Sequence, residues 1–298
     1  MGVRLVTQSR APPPVGLERA TSSLSAEEIF LLLQLSPYVA RTFSAIKKHP
    51  DLEMYVGFQS SMMIPALAHY QLFDHKVIWN LVLDRSLLYT TLLDHAVLHE
   101  LEHVRRTTDE LELGNHLTMK ITHNPTQDLC LMLFDAMQGP LQPHTRGDGT
   151  DLLSRHREPS ALFQMRNQVS DCYVEHTIYY TYPYHRCRQL TYAHVDAQVV
   201  GRLTESDIRR RSSADMLAPI NAMNSAYFRF LLQDVLDSAG PAYDLTKTEH
   251  ELAQELYIAT ARSFQGHTTP ESELADLWAQ ILGFSGQYRW QALSLNRG

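Results

Sequence analysis

Over most of the chain, apolar residues recur at intervals of three to five, the spacing of helices that bury one face. Ser25 and Glu28 form a capping-box pair ahead of Ile29-Phe30-Leu31-Leu32-Leu33, and Ser36-Pro37 ends or kinks that helix. A further segment runs to Lys48, before Pro50. Asp51 is placed to cap a helix over Leu52 to about Phe73, with Pro65 as a kink inside it. The pattern next predicts a long helix from Val77 to about Leu113, with Leu88, Leu92, Val97, Leu101 and Val104 on its apolar face and Gly114-Asn115 as its stop.

Residues 124–160 hold Asn124-Pro125, Gly139-Pro140, Pro143 and Arg146-Gly147-Asp148-Gly149, a density of turn formers that reads as a long loop system around one short helix, Leu129–Met137. Pro159 suits the first turn of a helix reaching Tyr182 before Pro183. Another covers Tyr184–Leu203, and Thr204 with Asp207 opens one that continues past Pro219 toward Leu236. Thr246/Glu249 and Thr269-Pro270-Glu271 open two C-terminal helices. No alternating run rich in β-branched residues and no internal repeat is evident. The expectation is an all-α fold: a mobile leader over residues 1–22, then a single helical domain over 23–298 with a long central loop.

Composition narrows the function classes. The chain has 298 residues, 44% of them hydrophobic, and a net charge of −7, which disfavours binding that relies on neutralising nucleic-acid phosphates. The apolar run at Ile29–Leu33 is far too short to cross a bilayer, and the N-terminal residues lack the apolar core of a secretory signal. Three cysteines, Cys130, Cys172 and Cys187, make neither a disulfide framework nor a CxxC site. A soluble cytoplasmic protein without membrane or nucleic-acid partners, with homo-oligomerisation left open, is the resulting expectation. The fifteen histidines stand out and direct attention to metal or proton chemistry.

Three of them, His95, His99 and His103, are spaced by four and stack along one helix face. His99-Glu100-Leu101-Glu102-His103 matches H-E-x-x-H, which sets two imidazoles on one side of a helix beside a glutamate able to act as general base. Glu175 or His176 would supply a third ligand. Zinc peptidases of this kind carry a sheet that aligns the substrate backbone, and the absence of a strand pattern weighs against them. Glu100 and His103 are also one Glu-x-x-His unit of a di-iron carboxylate bundle, with Glu175 as a further ligand, but Ser212, Met216 and Pro219 stand where a second set would be expected. A non-catalytic helical interaction protein is the remaining alternative.

His194 lies in the aliphatic stretch Tyr192-Ala193-His194-Val195 to Val199-Val200, downstream of Tyr179, Tyr180, Tyr182 and Tyr184. One imidazole on an apolar face suits either a proximal heme ligand or a core histidine satisfied by a neighbouring group. This segment resembles the proximal-ligand helix of the heme-dependent aromatic oxygenase superfamily, the tryptophan and indoleamine dioxygenases. Leu92-Leu93-Asp94-His95-Ala96-Val97-Leu98-His99-Glu100-Leu101 is similar to their distal helix, and Ser160-Ala161-Leu162-Phe163-Gln164-Met165-Arg166 to a substrate-facing one; the Gly-Thr-Gly-Gly stretch of the tryptophan branch is missing. Size and the His/Tyr-rich middle look more like the tyrosine-hydroxylating branch found in natural-product and antibiotic biosynthesis. The resemblance implies a tryptophan dioxygenase-like helical bundle and an L-tyrosine 3-hydroxylase forming 3,4-dihydroxyphenylalanine with hydrogen peroxide. It further implies non-covalent heme b on His194, with Arg209 at the propionates, His95 or His99 as distal base, Arg166 and Tyr192 at the substrate, and the 139–160 loop as a lid.

Overall fold

The computed structural model describes residues 29–30, 33–59, 66–73, 76–84, 86, 90, 92–121, 157–211, 214–265 and 269–293. The leader at 1–22, the expected helix Leu129–Met137 and almost all of the expected 139–160 lid lie outside these residues. The chain forms two compact units: residues 1–118 with 131–142 and 291–298, and residues 119–130 with 143–290.

In the first unit, α1 (Pro37–Ile46) is followed by β1 (Leu52–Gln59), β2 (Ala66–Phe73), β3 (Lys76–Asp84) and α2 (Leu92–Leu113). The expected helix over Leu52–Phe73 is therefore two strands, and the Val77–Asp84 start of the expected Val77–Leu113 helix is a further one. The physical reasons differ. β1 does alternate, with Leu52, Met54 and Val56 buried between partly exposed Glu53 and Tyr55, but Val56 is its only β-branched residue. β3 is central in the order β1-β3-β2 and buried from Val77 to Asp84 except at Ile78, so its Val-Ile-Trp-Asn-Leu-Val-Leu run has no period to read.

The sheet is mixed: β1 runs parallel to β3 and β2 antiparallel to it, so that among the described residues β2 is an edge. Helix α2 packs on β2, β3 and α1, burying Leu93, Val97, Leu101, Val104 and Leu111 at the three-to-four spacing of one face. It ends where the sequence places its stop. Gly114 takes a positive φ of 71°, and the N–H groups of Asn115 and Gly114 return to the carbonyls of Glu110 and Leu111, a Schellman closure.

The second unit is helical: α3 (Arg157–Thr181), a 3-10 turn (Pro183–His185), α4 (Arg186–Arg211), α5 (Ala214–Arg229) running into a π-helical segment (Phe230–Val235), α6 (Lys247–Ser263) and α7 (Glu271–Ile281). Pro183 breaks the chain between α3 and α4 as expected, and Thr246 with Glu249 forms both halves of a capping box on α6. Thr204 opens no new helix, because α4 runs unbroken to Arg211. Its core gathers Leu162, Met165, Val169, Ala226, Phe228, Phe230, Leu256 and Trp278, and the Trp278 indole N–H donates to Thr260 Oγ1 at 3.0 Å. Two short strands the sequence pattern also missed, β4 (His116–Ile121) and β5 (Tyr288–Leu293), pair with one another. Among the described residues no helix is long and apolar enough to cross a membrane.

Candidate metal centre

Helix α2 carries its chemistry on the flank of its buried face. His95 is fully buried, while His99 and His103 are partly exposed. His99 and His103 meet edge to face, centroids 4.8 Å apart at 66°, with their Nε2 atoms 3.1 Å from each other. Two imidazole lone pairs this close repel unless a proton or a cation lies between them. Zinc–imidazole bonds of about 2.0–2.1 Å spanning that separation would subtend roughly 95–100° at the metal, an angle four-coordinate and six-coordinate centres both accept. The pair therefore fits a first-row divalent ion. His95 stands one turn earlier, its ring 6.2 Å from that of His99, and their ring nitrogens approach within 4.8 Å.

The acidic residues of this segment have separate employments. Asp94 accepts the backbone N–H of Ser36. Glu102, fully buried, accepts from Thr42 Oγ1 at 3.2 Å and from Arg105 Nε at 2.9 Å. These two hold α1 and the local helix turn. Glu100 differs: its Oε2 accepts the backbone N–H of Ala68 on β2 at 2.7 Å. That N–H therefore points away from β3. By the alternation of an antiparallel ladder, the backbone groups of Ala66, Ala68 and Tyr70 all face the open edge. The glutamate of the H-E-x-x-H sequence is thus held against the outer edge of β2, and the sheet whose absence counted against a zinc peptidase is present.

Nearer the end of α2, two more histidines meet carboxylates. Glu112 meets His49 Nδ1 at 2.6 Å, while His116 Nδ1 lies 2.8 Å from Glu110 Oε2 and its Nε2 lies 2.9 Å from the Tyr70 hydroxyl. The Schellman turn, which reverses the chain after Leu113, brings His116 to Glu110.

The remaining expected site residues belong to the second unit. His194, partly exposed on α4, has its Nε2 3.0 Å from Ser238 Oγ. Ala193 and Ala197 are the buried neighbours, whereas Val195 and Val199 face outward at 39% and 43% exposure. The aliphatic context seen in the sequence is therefore split between two sides of the helix. Tyr192 on α4 and Arg166 on α3 are partly exposed; the side chain of Arg209 lies outside the described residues. Glu175 is buried, its Oε2 accepting from Gln189 Nε2 at 2.7 Å. His176 stacks against Tyr180 and Phe264 with centroids 4.5 and 4.9 Å away, and burial lowers its pKa from 6.5. No family model, no curated protein and no solved structure matches the chain.

Proposed function

We propose that this chain is a zinc-dependent peptidase of the H-E-x-x-H class, working from α2 and the edge of β2. The observation that carries the reading is the 3.1 Å approach of His99 Nε2 and His103 Nε2 on the helix whose Glu100 is tied to a strand edge. His99 and His103 would hold the ion. Zinc in such a centre supplies Lewis acidity toward a peptide carbonyl.

The chain's own residues do the rest. An extended peptide would lie along the outer edge of β2 as an added strand, sharing the Ala68 N–H with Glu100, which fixes the scissile bond against the helix. Glu100 takes a proton from the attacking water and passes it to the departing amine nitrogen as the C–N bond breaks. The Ala68 N–H aims the Glu100 carboxylate.

The test is zinc content and hydrolysis of denatured casein by the purified protein, followed by chelation and readdition of zinc. Bound zinc, activity lost on chelation, and recovery on readdition are expected. A preparation that neither retains nor takes up zinc ends the reading, and so does an undiminished rate in Glu100→Gln.

The L-tyrosine 3-hydroxylase implied by the resemblance would need His194 as the heme ligand, and the nitrogen that Ser238 engages is Nε2, the one a ligand histidine usually gives to iron while Nδ1 is held by a neighbour. Its signature is a Soret band on addition of hemin, lost in His194→Ala. The di-iron reading uses Glu100 as a ligand, and the Oε2 of that carboxylate already accepts the Ala68 N–H.

A further inference from the structure

Around α2, at 100° per residue, His99, His103 and Glu110 fall within about 40° of one another, and Glu110 stands about 10 Å beyond His103 along the axis. The stripe that carries the imidazole pair thus ends in a carboxylate aimed at His116. His116 is 2% exposed and sits between two partners, Glu110 Oε2 at 2.8 Å from Nδ1 and the Tyr70 hydroxyl at 2.9 Å from Nε2. A carboxylate oxygen accepts, so Nδ1 donates to Glu110, and in the neutral ring Nε2 accepts from the Tyr70 O–H.

Tyr70 belongs to β2, two residues beyond Ala68 and so on the same side of the strand, about 7 Å along it. The edge strand is consequently tied to α2 twice: at Ala68 through Glu100, next to the imidazole pair, and at Tyr70 through His116 to Glu110. The first tie lies where a peptide would dock and has to yield some of its N–H bonding to the incoming chain. The second does not face that competition. Tyr70 also packs on Trp79, its directly opposed partner on β3, at 4.9 Å, which is independent of the hydroxyl.

We propose that Tyr70, His116 and Glu110 form a clasp that fixes the β2 edge relative to the H-E-x-x-H turn, which makes Tyr70 a positioning residue for an extended peptide. The inference rests on the peptidase reading for its consequence, though not for its geometry. Tyr70→Phe removes only the donor and keeps the ring on Trp79, so the fold and zinc content stay as they are. Amide exchange over residues 66–72 should speed by about 10-fold, and KM for denatured casein should rise by about 5- to 10-fold with kcat within about twofold. Glu110→Ala should reproduce this behaviour, and Glu110→Gln, whose amide oxygen still accepts the Nδ1 proton, should restore it to that of the unaltered protein.

Unchanged exchange and unchanged KM in Tyr70→Phe overturn the clasp, as does a fall in kcat with KM unchanged, which would place the hydroxyl in the chemistry itself. If the unaltered protein takes up no zinc and cleaves nothing, the peptidase reading fails, while the exchange measurement on zinc-free protein still decides the clasp.

Discussion

Helices α2 and α4 each carry a histidine the sequence singles out, and they present it in opposite ways. On α2, His99 and His103 turn their Nε2 atoms toward each other at 3.1 Å. On α4, His194 turns its Nε2 to a serine hydroxyl at 3.0 Å. A hydroxyl can donate as well as accept, so His194 is satisfied without any cation. Two facing imidazoles satisfy each other only by sharing a proton, an arrangement a divalent ion replaces with two strong bonds. Histidine density alone therefore says little about metal binding; what each ring nitrogen faces says more.

The sharpest way to break this comparison is to remove one member of each pair. His99→Ala or His103→Ala should weaken zinc binding by more than about 100-fold, since a lost direct ligand costs at least as much as a lost supporting contact. Competition against a colorimetric chelator measures it. His194→Ala should leave zinc affinity unchanged. If His194→Ala loses zinc and His103→Ala does not, the contrast between the helices is inverted.

Glu100→Gln separates binding from chemistry on α2. Zinc should be retained while kcat falls by about 10²- to 10⁴-fold, the range of a lost general base. The glutamine oxygen can still accept the Ala68 N–H, so β2 stays where it is. A parallel loss of zinc would make Glu100 a ligand and return the di-iron reading to consideration.

On α4 the expected effect is smaller. Removing the imidazole of His194 leaves Ser238 to solvent or to a neighbour and should lower stability by about 1 kcal/mol, read from denaturant midpoints at constant slope. The heme reading expects more of the same variant: loss of a Soret band that the unaltered protein develops with hemin.

Why one helix was legible and its setting was not follows from what each signal depends on. H-E-x-x-H is a spacing along one helix, and helix geometry alone puts His99 over His103. The Gly114-Asn115 stop and the Thr246/Glu249 capping box are equally local. β2 is another matter. Ala-Leu-Ala-His-Tyr-Gln-Leu-Phe has its polar residues, His69 and Gln71, on one parity, but Leu67 and Phe73 share that parity and no residue is β-branched, so the alternation is faint. β3 is apolar throughout because it is central. Strand character there comes from neighbours distant in sequence, so helical spacing was the nearest pattern to find. The same holds for the clasp. The pairing of Glu110 with His116 depends on the chain reversal at Gly114, which spacing along a continuous helix cannot convey.

The smallest effect tests a third kind of histidine, one that neither faces a second imidazole nor rests on a hydroxyl. His176 stacks between Tyr180 and Phe264, and burial lowers its pKa below the 6.5 it has when free. The unfolded chain therefore binds the proton more readily than the folded one. Stability from this residue is complete above about pH 6.5 and is lost as the pH falls from there through the lowered folded value. In His176→Phe, which keeps the ring stack and removes the titration, the decline in denaturant midpoint between pH 7 and pH 5 should be shallower than in the unaltered protein. Because the ring is only half-buried, the difference should be the least of those described. An identical slope in both proteins would mean that the imidazole is solvated when folded, and that its two aromatic neighbours do not exclude water from it.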